Sequence, residues 1–223
     1  MSKEQWTAID NYFADLFMPE DAVLTQALKD SEEAGLDPIA VAPNQGKLLY
    51  ILAQLNNSKR ILEIGTLGGY STIWMAKALP EGGKVITLEI DQKCADIAQK
   101  NIERAGLQDK VEIRIGSALE IMREMSETGE APFDFVFIDA DKENNPGYFE
   151  YSMKLAQKGT LIIADNVIRK GGVIDPNSTD TSVQGVRKFN ELVAAEPRVT
   201  TTVVQTVGAK GHDGLGIVLV TSD

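Results

Sequence analysis

The chain has 223 residues, of which 43% are hydrophobic and 25% charged, with 19 glycines, 8 prolines, one cysteine and one histidine. This composition excludes extended disorder, collagen-like repeats and coiled coil, and it fits one compact domain with or without a small appendage. A single cysteine excludes an internal disulfide framework, and a single histidine excludes metal sites built from several histidines. The net charge of −11 opposes nucleic-acid binding, because phosphate contacts need a basic surface.

No apolar run approaches the ~20 residues that a membrane-spanning helix needs. The first residues also lack the basic and then apolar pattern of a secretion signal. We therefore expect a cytoplasmic protein that does not bind a membrane.

Residues 1–57 predict three helices and no strand, at 3–17, 19–34 and 43–55. From residue 60 onward, short β-branched runs alternate with amphipathic stretches, which is typical of a parallel sheet covered by helices. The predicted strands are 60–64, 84–89, 111–115, 133–138, 159–164, 199–207 and 215–221. The predicted helices between them are 72–79, 92–105, 118–127, 146–155 and 182–195, with Asp91 and Ser117 placed to cap two of them.

Residues 208–214, which separate the last two predicted strands, are too few for a crossover helix, so these strands should form an antiparallel hairpin. The predicted fold is therefore α/β: a doubly wound, Rossmann-like, seven-stranded and mostly parallel sheet that ends in an antiparallel hairpin. We predict a single domain over 1–223, with 1–57 as a helical annex and 58–223 as the core. The annex is too short to bury a core of its own.

A glycine-rich turn, Gly65-Thr66-Leu67-Gly68-Gly69, follows the first predicted strand, at the edge where doubly wound sheets bind ligands. Its glycines do not match the dinucleotide pattern G-x-G-x-x-G, and a carboxylate, Glu63, precedes the turn. That carboxylate would repel a pyrophosphate but suits a cationic ligand. A second acid, Glu89, ends the next strand, where it would bind a ribose diol. The glycine turn and the acid after the second strand, taken together, favour a nucleoside ligand.

Two further strands end in polar side chains. Asp139 follows one predicted strand, and Asp165 and Asn166 follow the next along the chain. Oxygen ligands without histidine or cysteine suit a hard octahedral cation. The sequence thus predicts a divalent cation site, with Mg²⁺ as the natural ion and Mn²⁺ or Ca²⁺ as alternatives.

The motifs Glu63-Ile64-Gly65-Thr66 and Gly69-Tyr70-Ser71 resemble those of cation-dependent S-adenosylmethionine O-methyltransferases related to the caffeoyl-coenzyme A and catechol enzymes. The resemblance covers almost the whole chain and implies the same three metal ligands and a homodimer. It places the cofactor against the residues Val41, Glu63, Gly65, Thr66, Ser71, Glu89, Ala118, Asp139 and Asp141. It also implies that Lys142 is the base that takes the substrate proton, with Asp139 as its catalytic partner at the metal.

The activity that this resemblance implies is methyl transfer to a hydroxyl of a phenolic small molecule with vicinal hydroxyls, such as a caffeoyl ester or a flavonoid. Residues 167–176 should form a loop that walls the acceptor pocket, although their identity does not select an acceptor. Two alternatives stay open: an NAD-dependent oxidoreductase and a non-catalytic S-adenosylmethionine-binding protein. His212 falls in the predicted turn of the last hairpin, where a solvated role is expected.

Overall fold

The computed structural model of the chain describes residues 2–18, 21–130 and 132–223. The α-helices are Lys3–Phe17 (α1), Ala22–Glu33 (α2), Pro43–Leu55 (α3), Tyr70–Ala78 (α4), Gln92–Arg104 (α5), Ala118–Glu127 (α6), Asn145–Lys154 (α7) and Thr181–Ala195 (α8). The strands are Arg60–Ile64 (β1), Lys84–Glu89 (β2), Val111–Ile115 (β3), Phe133–Ile138 (β4), Ala156–Asp165 (β5), Val199–Gly208 (β6) and Gly211–Val220 (β7). Short 3-10 helices follow β4 at Lys142–Asn144 and β5 at Arg169–Ile174.

The strands form one sheet of seven in the order β3-β2-β1-β4-β5-β7-β6. β1 to β5 are parallel, and β7 is antiparallel to both of its neighbours. This confirms the predicted fold, a mostly parallel doubly wound sheet that ends in an antiparallel hairpin. Strand order reverses between β1 and β4, and ligands of such sheets bind at that switch point.

The central strands are buried on both faces, which explains why their sequences are apolar without alternation. In β1, Leu62 and Ile64 point into a core shared with α6, α7 and α8. Ile61 points the other way, into a core shared with α2 to α5. The two cores hold the carboxyl ends of the parallel strands at one edge of the sheet.

The predicted loop at 208–214 is wrong. β6 and β7 pair through Gly208 and Gly211, so only residues 209 and 210 make the turn, and His212 lies in β7 with its ring 3.0 Å from Gln205 Oε1. Gly214 lies inside β7, where it allows close packing. A Cβ there would lie 2.5 Å from the Ile168 side chain.

Other element boundaries also differ from the prediction. α2 begins at Ala22, where the Asp21 carboxylate accepts hydrogen bonds from two backbone N–H groups of the first turn. The predicted start at residue 19 lies outside the described residues. α4 begins two residues early because Gly69, at φ +80°, ends the turn directly before it. Asp91 caps α5 as predicted, whereas Ser117 precedes α6 without a side-chain capping bond.

The annex helices pack directly on the core. α3 approaches α4 so closely that a Cβ on Gly46 would lie 2.3 Å from the Trp74 ring. α1 is tied to the final hairpin by Asp10, whose carboxylate accepts a 2.8 Å bond from the backbone of Ala209. Within the part of the chain that the structure describes, no helix is both long and apolar enough to span a bilayer.

Candidate active site

A cavity of about 700 Å³ opens at the carboxyl edge of the parallel strands. That volume falls within the usual range for a small-molecule site. Ten of the sequence-predicted residues line it: Val41, Gly65, Thr66, Ser71, Glu89, Ala118, Asp139, Asp141, Lys142 and Asn166. The structure therefore brings these residues together. The contacts that each would make with a ligand stay predictions.

The glycine turn needs glycine at Gly65 because the neighbouring backbone is too close for a side chain, and not only because a ligand must approach. Gly65 has φ +97°, and a Cβ on it would lie 2.3 Å from the backbone carbonyl oxygen of Asp139. No side chain fits there, so glycine lets the end of β1 lie directly against the end of β4. The turn thereby helps to fix the position of Asp139.

Glu63 does not line the cavity. It is fully buried beneath the turn, where its carboxylate accepts hydrogen bonds from Ser71 Oγ at 2.6 Å and Thr72 Oγ1 at 2.5 Å. Burial raises the pKa of Glu63 to about 7, opposed by hydroxyl hydrogen bonds and reinforced by the Asp139 carboxylate. In this structure Glu63 anchors the start of α4 from below. Its predicted contact with a cofactor stays a prediction.

Glu89 lines the cavity and also holds the turn. One oxygen accepts from the backbone N–H groups of Thr66 and Leu67, at 3.1 and 2.8 Å. The other accepts from the N–H groups of Ile90 and Asp91, at 2.9 and 3.0 Å. A carboxylate has about four acceptor positions, so a ribose hydroxyl would share or replace one of these bonds.

The register of the sheet places the two predicted metal-binding carboxylates side by side. Ile138 of β4 pairs with Ala164 of β5, and Asp139 and Asp165 follow these two residues on adjacent parallel strands. Asn166 comes next, at φ +59°, a left-handed conformation that asparagine tolerates better than most residues. The three predicted ligands are thus neighbours along the edge, where Asp139 and Asn166 line the cavity and Asp165 does not.

Asp165 is buried and its carboxylate is held from two sides. Oδ1 accepts a 2.7 Å bond from the Asn166 N–H, and Oδ2 accepts a 2.7 Å bond from Gln45 Nε2 of α3. Burial first, and then the nearby Asp139 carboxylate, raise the pKa of Asp165 to about 7. The two carboxylates repel each other, and a bound cation would remove that repulsion.

Lys142 is buried, not solvated as an average lysine would be, with 7% of its surface exposed. Its Nζ donates a 2.9 Å hydrogen bond to Asp139 Oδ1, three residues before it in the sequence. Its backbone is held by α8. A Cβ on Gly185 of that helix would lie 2.2 Å from the Lys142 carbonyl oxygen. The predicted base therefore touches the predicted metal ligand.

The donor set suits a hard cation, since it offers two carboxylates and an amide oxygen without softer ligands. Among the described residues, no group of three or more His, Cys, Asp or Glu side chains is placed to hold a metal ion. The predicted site has only two such side chains and takes its third oxygen from Asn166. Metal binding therefore stays a prediction.

Three contributors to the site were not anticipated from the sequence. Gln45 reaches Asp165 from 120 residues away, and Tyr148 donates a 2.5 Å hydrogen bond to Asp141 Oδ1. Arg169, from the loop predicted to wall the acceptor pocket, lines the cavity. Neither Gln45 nor Tyr148 belongs to a motif, so only the packing of α3 and α7 reveals them.

The fold and this edge can be compared with known proteins. Residues 15–220 match the model of a family described as O-methyltransferase. The chain is 50% identical to the catechol O-methyltransferase of Niastella koreensis, over 99% of this chain and 100% of that protein. It is 42% identical to the catechol O-methyltransferase of Mycobacterium tuberculosis, over 95% and 94%.

A solved structure of an O-methyltransferase from Bacillus cereus, in complex with SAH, superposes with a TM-score of 0.97 at 53% identity, covering 99% of this chain and 100% of that one. Together with the family match, this similarity confirms the resemblance that the sequence motifs suggested. The chain belongs to the O-methyltransferase family and is an enzyme of that class.

Proposed function

We propose that the enzyme transfers the methyl group of S-adenosylmethionine to a hydroxyl of a catechol-type small molecule, with the help of a divalent cation. The observation that carries the proposal is the convergence of Asp139, Asp165, Asn166 and Lys142 at the carboxyl ends of β4 and β5, beside the switch point and the glycine turn. The family assignment opposes the oxidoreductase alternative and the non-catalytic one.

The proposed cofactor position follows the order of strand ends along the edge. Ala118 after β3 would lie by the adenine, Glu89 of β2 by the ribose, and Gly65, Thr66 and Ser71 after β1 by the methionine part. S-adenosylmethionine would supply an electrophilic methyl group on a sulfonium. The B. cereus relative was solved with SAH, which supports this use of the cavity.

Carboxylates suit a cationic cofactor. Asp141 lines the cavity with its two oxygens fixed by Tyr148 and by Asn144, whose Nδ2 donates at 2.5 Å. A fixed acidic side chain can receive the amino group of the methionine part without reorganising. Val41, from the segment before α3, closes the cavity over the same region.

Asp139, Asp165 and Asn166 would hold the cation, with Mg²⁺ as the expected ion. A divalent cation there would supply Lewis acidity to an acceptor hydroxyl. Gln45 fixes the orientation of Asp165, and Lys142 fixes that of Asp139. Side chains held by packing and by second hydrogen bonds keep their geometry without cost at the moment of reaction.

Lys142 is proposed to take the proton of the acceptor hydroxyl at Nζ. Its Nζ lies 2.9 Å from Asp139 Oδ1, which places it beside the proposed cation site. Its burial in the cavity wall keeps the amine away from bulk water. The remaining contribution of the chain is orientation, because two reactants held at attack distance react far faster than free ones.

The catechol O-methyltransferases of N. koreensis and M. tuberculosis support an acceptor with vicinal hydroxyls. The test is a methyl-transfer screen, read by mass, that compares catechol with phenol, with and without a chelator. We expect transfer to catechol only, its loss with chelator, and its recovery with Mg²⁺. Asp139→Ala should abolish activity, whereas Asp109→Ala, an exposed carboxylate remote from the cavity, should not. Activity that survives both chelation and Asp139→Ala would overturn the cation-dependent mechanism.

We also propose that the enzyme is a homodimer. Aromatic side chains of α1 project outward, with Tyr12 60%, Phe13 42% and Phe17 65% exposed. Strand β6, at the edge of the sheet beside α1, exposes Val203 and Val204 as well. Exposed apolar side chains beside an open strand edge favour contact with a second copy. Sedimentation velocity should give a dimer that Phe13→Ser and Phe17→Ser together convert to a monomer, and a monomeric native chain would refute it.

A further inference from the structure

Arg169 is the unexplained cation of the cavity. It begins the 3-10 helix after β5 and lines the cavity wall. Its Nε is buried without a hydrogen-bond partner, and among the described residues its guanidinium forms no ion pair within 4.0 Å. A buried N–H without an acceptor is costly, which is why nearly all such groups in folded proteins have one. A ligand that brings an acceptor would satisfy it.

The charges around the cavity single out this arginine. The charged residues of the lining are Glu89, Asp139, Asp141, Lys142 and Arg169. Lys142 is already paired with Asp139, so Arg169 is the lining cation that a ligand can use. The net charge of the chain is −11, and such a field repels anions. An unpaired guanidinium offsets that repulsion at one place.

Arg169 lies at the end of the cavity where the methyl acceptor is proposed to bind. Along the edge, the strand ends follow the order β3, β2, β1, β4, β5, and neighbouring strands are ~4.8 Å apart. Ala118 lies after β3, at the proposed adenine end, and Arg169 lies after β5, four strands away. The backbone N–H of Arg169 is bonded to Asp213 of β7, the strand that lies on the side of β5 away from β4, so Arg169 lies past the proposed cation site.

The backbone around Arg169 is built rigidly. The N–H groups of Ile168, Arg169 and Gly214 all donate to one oxygen of Asp213, each at 3.0 Å. Arg169 and Lys170 both have φ +54°, a left-handed conformation that is unfavourable for such side chains. Asp213 thus supplies the hydrogen bonds that hold this conformation. The base of the arginine side chain is fixed before any ligand arrives.

We propose that Arg169 binds a carboxylate on the methyl acceptor, so that the preferred acceptors are dihydroxyphenyl carboxylic acids. This inference rests on the proposed function. With the two hydroxyls at the cation site, an acid group on the ring or on a short side chain extends toward the end of the cavity where Arg169 lies. The planar guanidinium matches a carboxylate through two parallel hydrogen bonds.

The test compares 3,4-dihydroxybenzoate with its methyl ester, which has the same ring hydroxyls but no charge. The native enzyme should give a higher kcat/KM for the acid. Arg169→Gln should lower kcat/KM for the acid about 10- to 100-fold, as expected for the loss of a charged hydrogen bond, and change the ester less than about threefold. Equal losses on acid and ester would overturn the proposal.

Lys170→Gln is the matched control. Lys170 is the next residue, has the same φ, and is exposed and outside the cavity lining, and its replacement changes the net charge equally. It should leave the ratio of acid to ester unchanged. Arg169→Lys, which keeps the charge, should retain more activity on the acid than Arg169→Gln. A shift of the ratio in Lys170→Gln as large as in Arg169→Gln would mean a general charge effect and would contradict a direct contact.

Binding without catalysis separates this inference from the proposed function. Calorimetric titration of the acid into protein saturated with S-adenosylhomocysteine and Mg²⁺ should show about tenfold or greater weakening in Arg169→Gln, and no such change for the ester. If neither compound is methylated, the proposed function fails while this measurement still decides the role of Arg169. The coenzyme A thioester of caffeate is the third ligand. If Arg169→Gln weakens the binding of that thioester alone, Arg169 contacts a phosphate of the coenzyme, and the proposed contact with a carboxylate is wrong.

Discussion

Replacing Glu63 with glutamine should change how the stability of the enzyme depends on pH. Glu63 is fully buried beneath the glycine turn, and its pKa is raised to about 7 from an ordinary value of 4.5. Between these two pH values the folded protein holds a proton on Glu63 that the unfolded chain has lost. Folding then becomes less favourable as the pH rises, because stability falls wherever the native state binds more protons.

The size of the effect follows from the two pKa values. A pKa shift of one unit is worth about 1.4 kcal/mol, so the rise in the pKa of Glu63 from 4.5 to about 7 corresponds to about 3 kcal/mol. Glutamine keeps the shape of the side chain and a carbonyl oxygen for Ser71 or Thr72, but it cannot ionise. Below pH 4.5 the two proteins should have similar free energies of unfolding. Above pH 7 the variant should be more stable by about 3 kcal/mol.

Urea denaturation at several pH values between 5 and 8 measures this difference. Every other titrating group is common to both proteins, so its contribution cancels in the comparison. Glu81→Gln, at an exposed position, is the control and should show a difference from the native enzyme that does not vary with pH. If the difference between native and Glu63→Gln stays constant across the range, Glu63 is not protonated in the fold and the reasoning is wrong.

The positions of the two aspartates could be predicted from the sequence because they depend on strand ends alone. Asp139 follows β4 and Asp165 ends β5, each directly after an apolar run of four residues, and parallel strands align their carboxyl ends at one edge. The same reasoning predicted that Glu89 and the glycine turn lie at this edge of the sheet. A site built from strand ends can be located once the strands are recognised, because neighbouring strands in a sheet have a fixed spacing.

The role of Glu63 in the structure could not be predicted in this way. A residue in a strand buried on both faces can point to either layer, and a carboxylate beside a ligand-binding turn suggests a contact with the ligand. Which way it faces is decided by Ser71 and Thr72, which present hydroxyl groups to it from the first turn of α4. Their bonds make burial of the carboxyl group tolerable.

Contacts that the annex makes with the site also could not be predicted from the sequence. Gln45 belongs to α3, which the sequence identifies as a helix without showing where it packs. The close approach of Gly46 to Trp74 sets that packing and brings Gln45 to Asp165. The annex therefore contributes to the site as well as to stability.

Two further variants test how the site is held in place. Gln45→Leu removes the hydrogen bond to the buried carboxylate at the end of β5, and should lower Mg²⁺ affinity and kcat/KM by about 10-fold or more, whereas the exposed Gln54→Leu of the same helix should not. Gly185→Ala places a Cβ 2.2 Å from the backbone carbonyl of the candidate base, and backbone cannot yield as a side-chain end can. The variant should lose about 1–3 kcal/mol of stability through overpacking and should lower kcat, since the lysine moves away from its aspartate. Gly147→Ala is its control, because a Cβ there meets only the end of a leucine side chain, at 2.8 Å, and alanine favours helix by about 1 kcal/mol. Thermal unfolding and steady-state kinetics measure both, and a Gly185→Ala enzyme with native stability and kcat would show that α8 does not position the base.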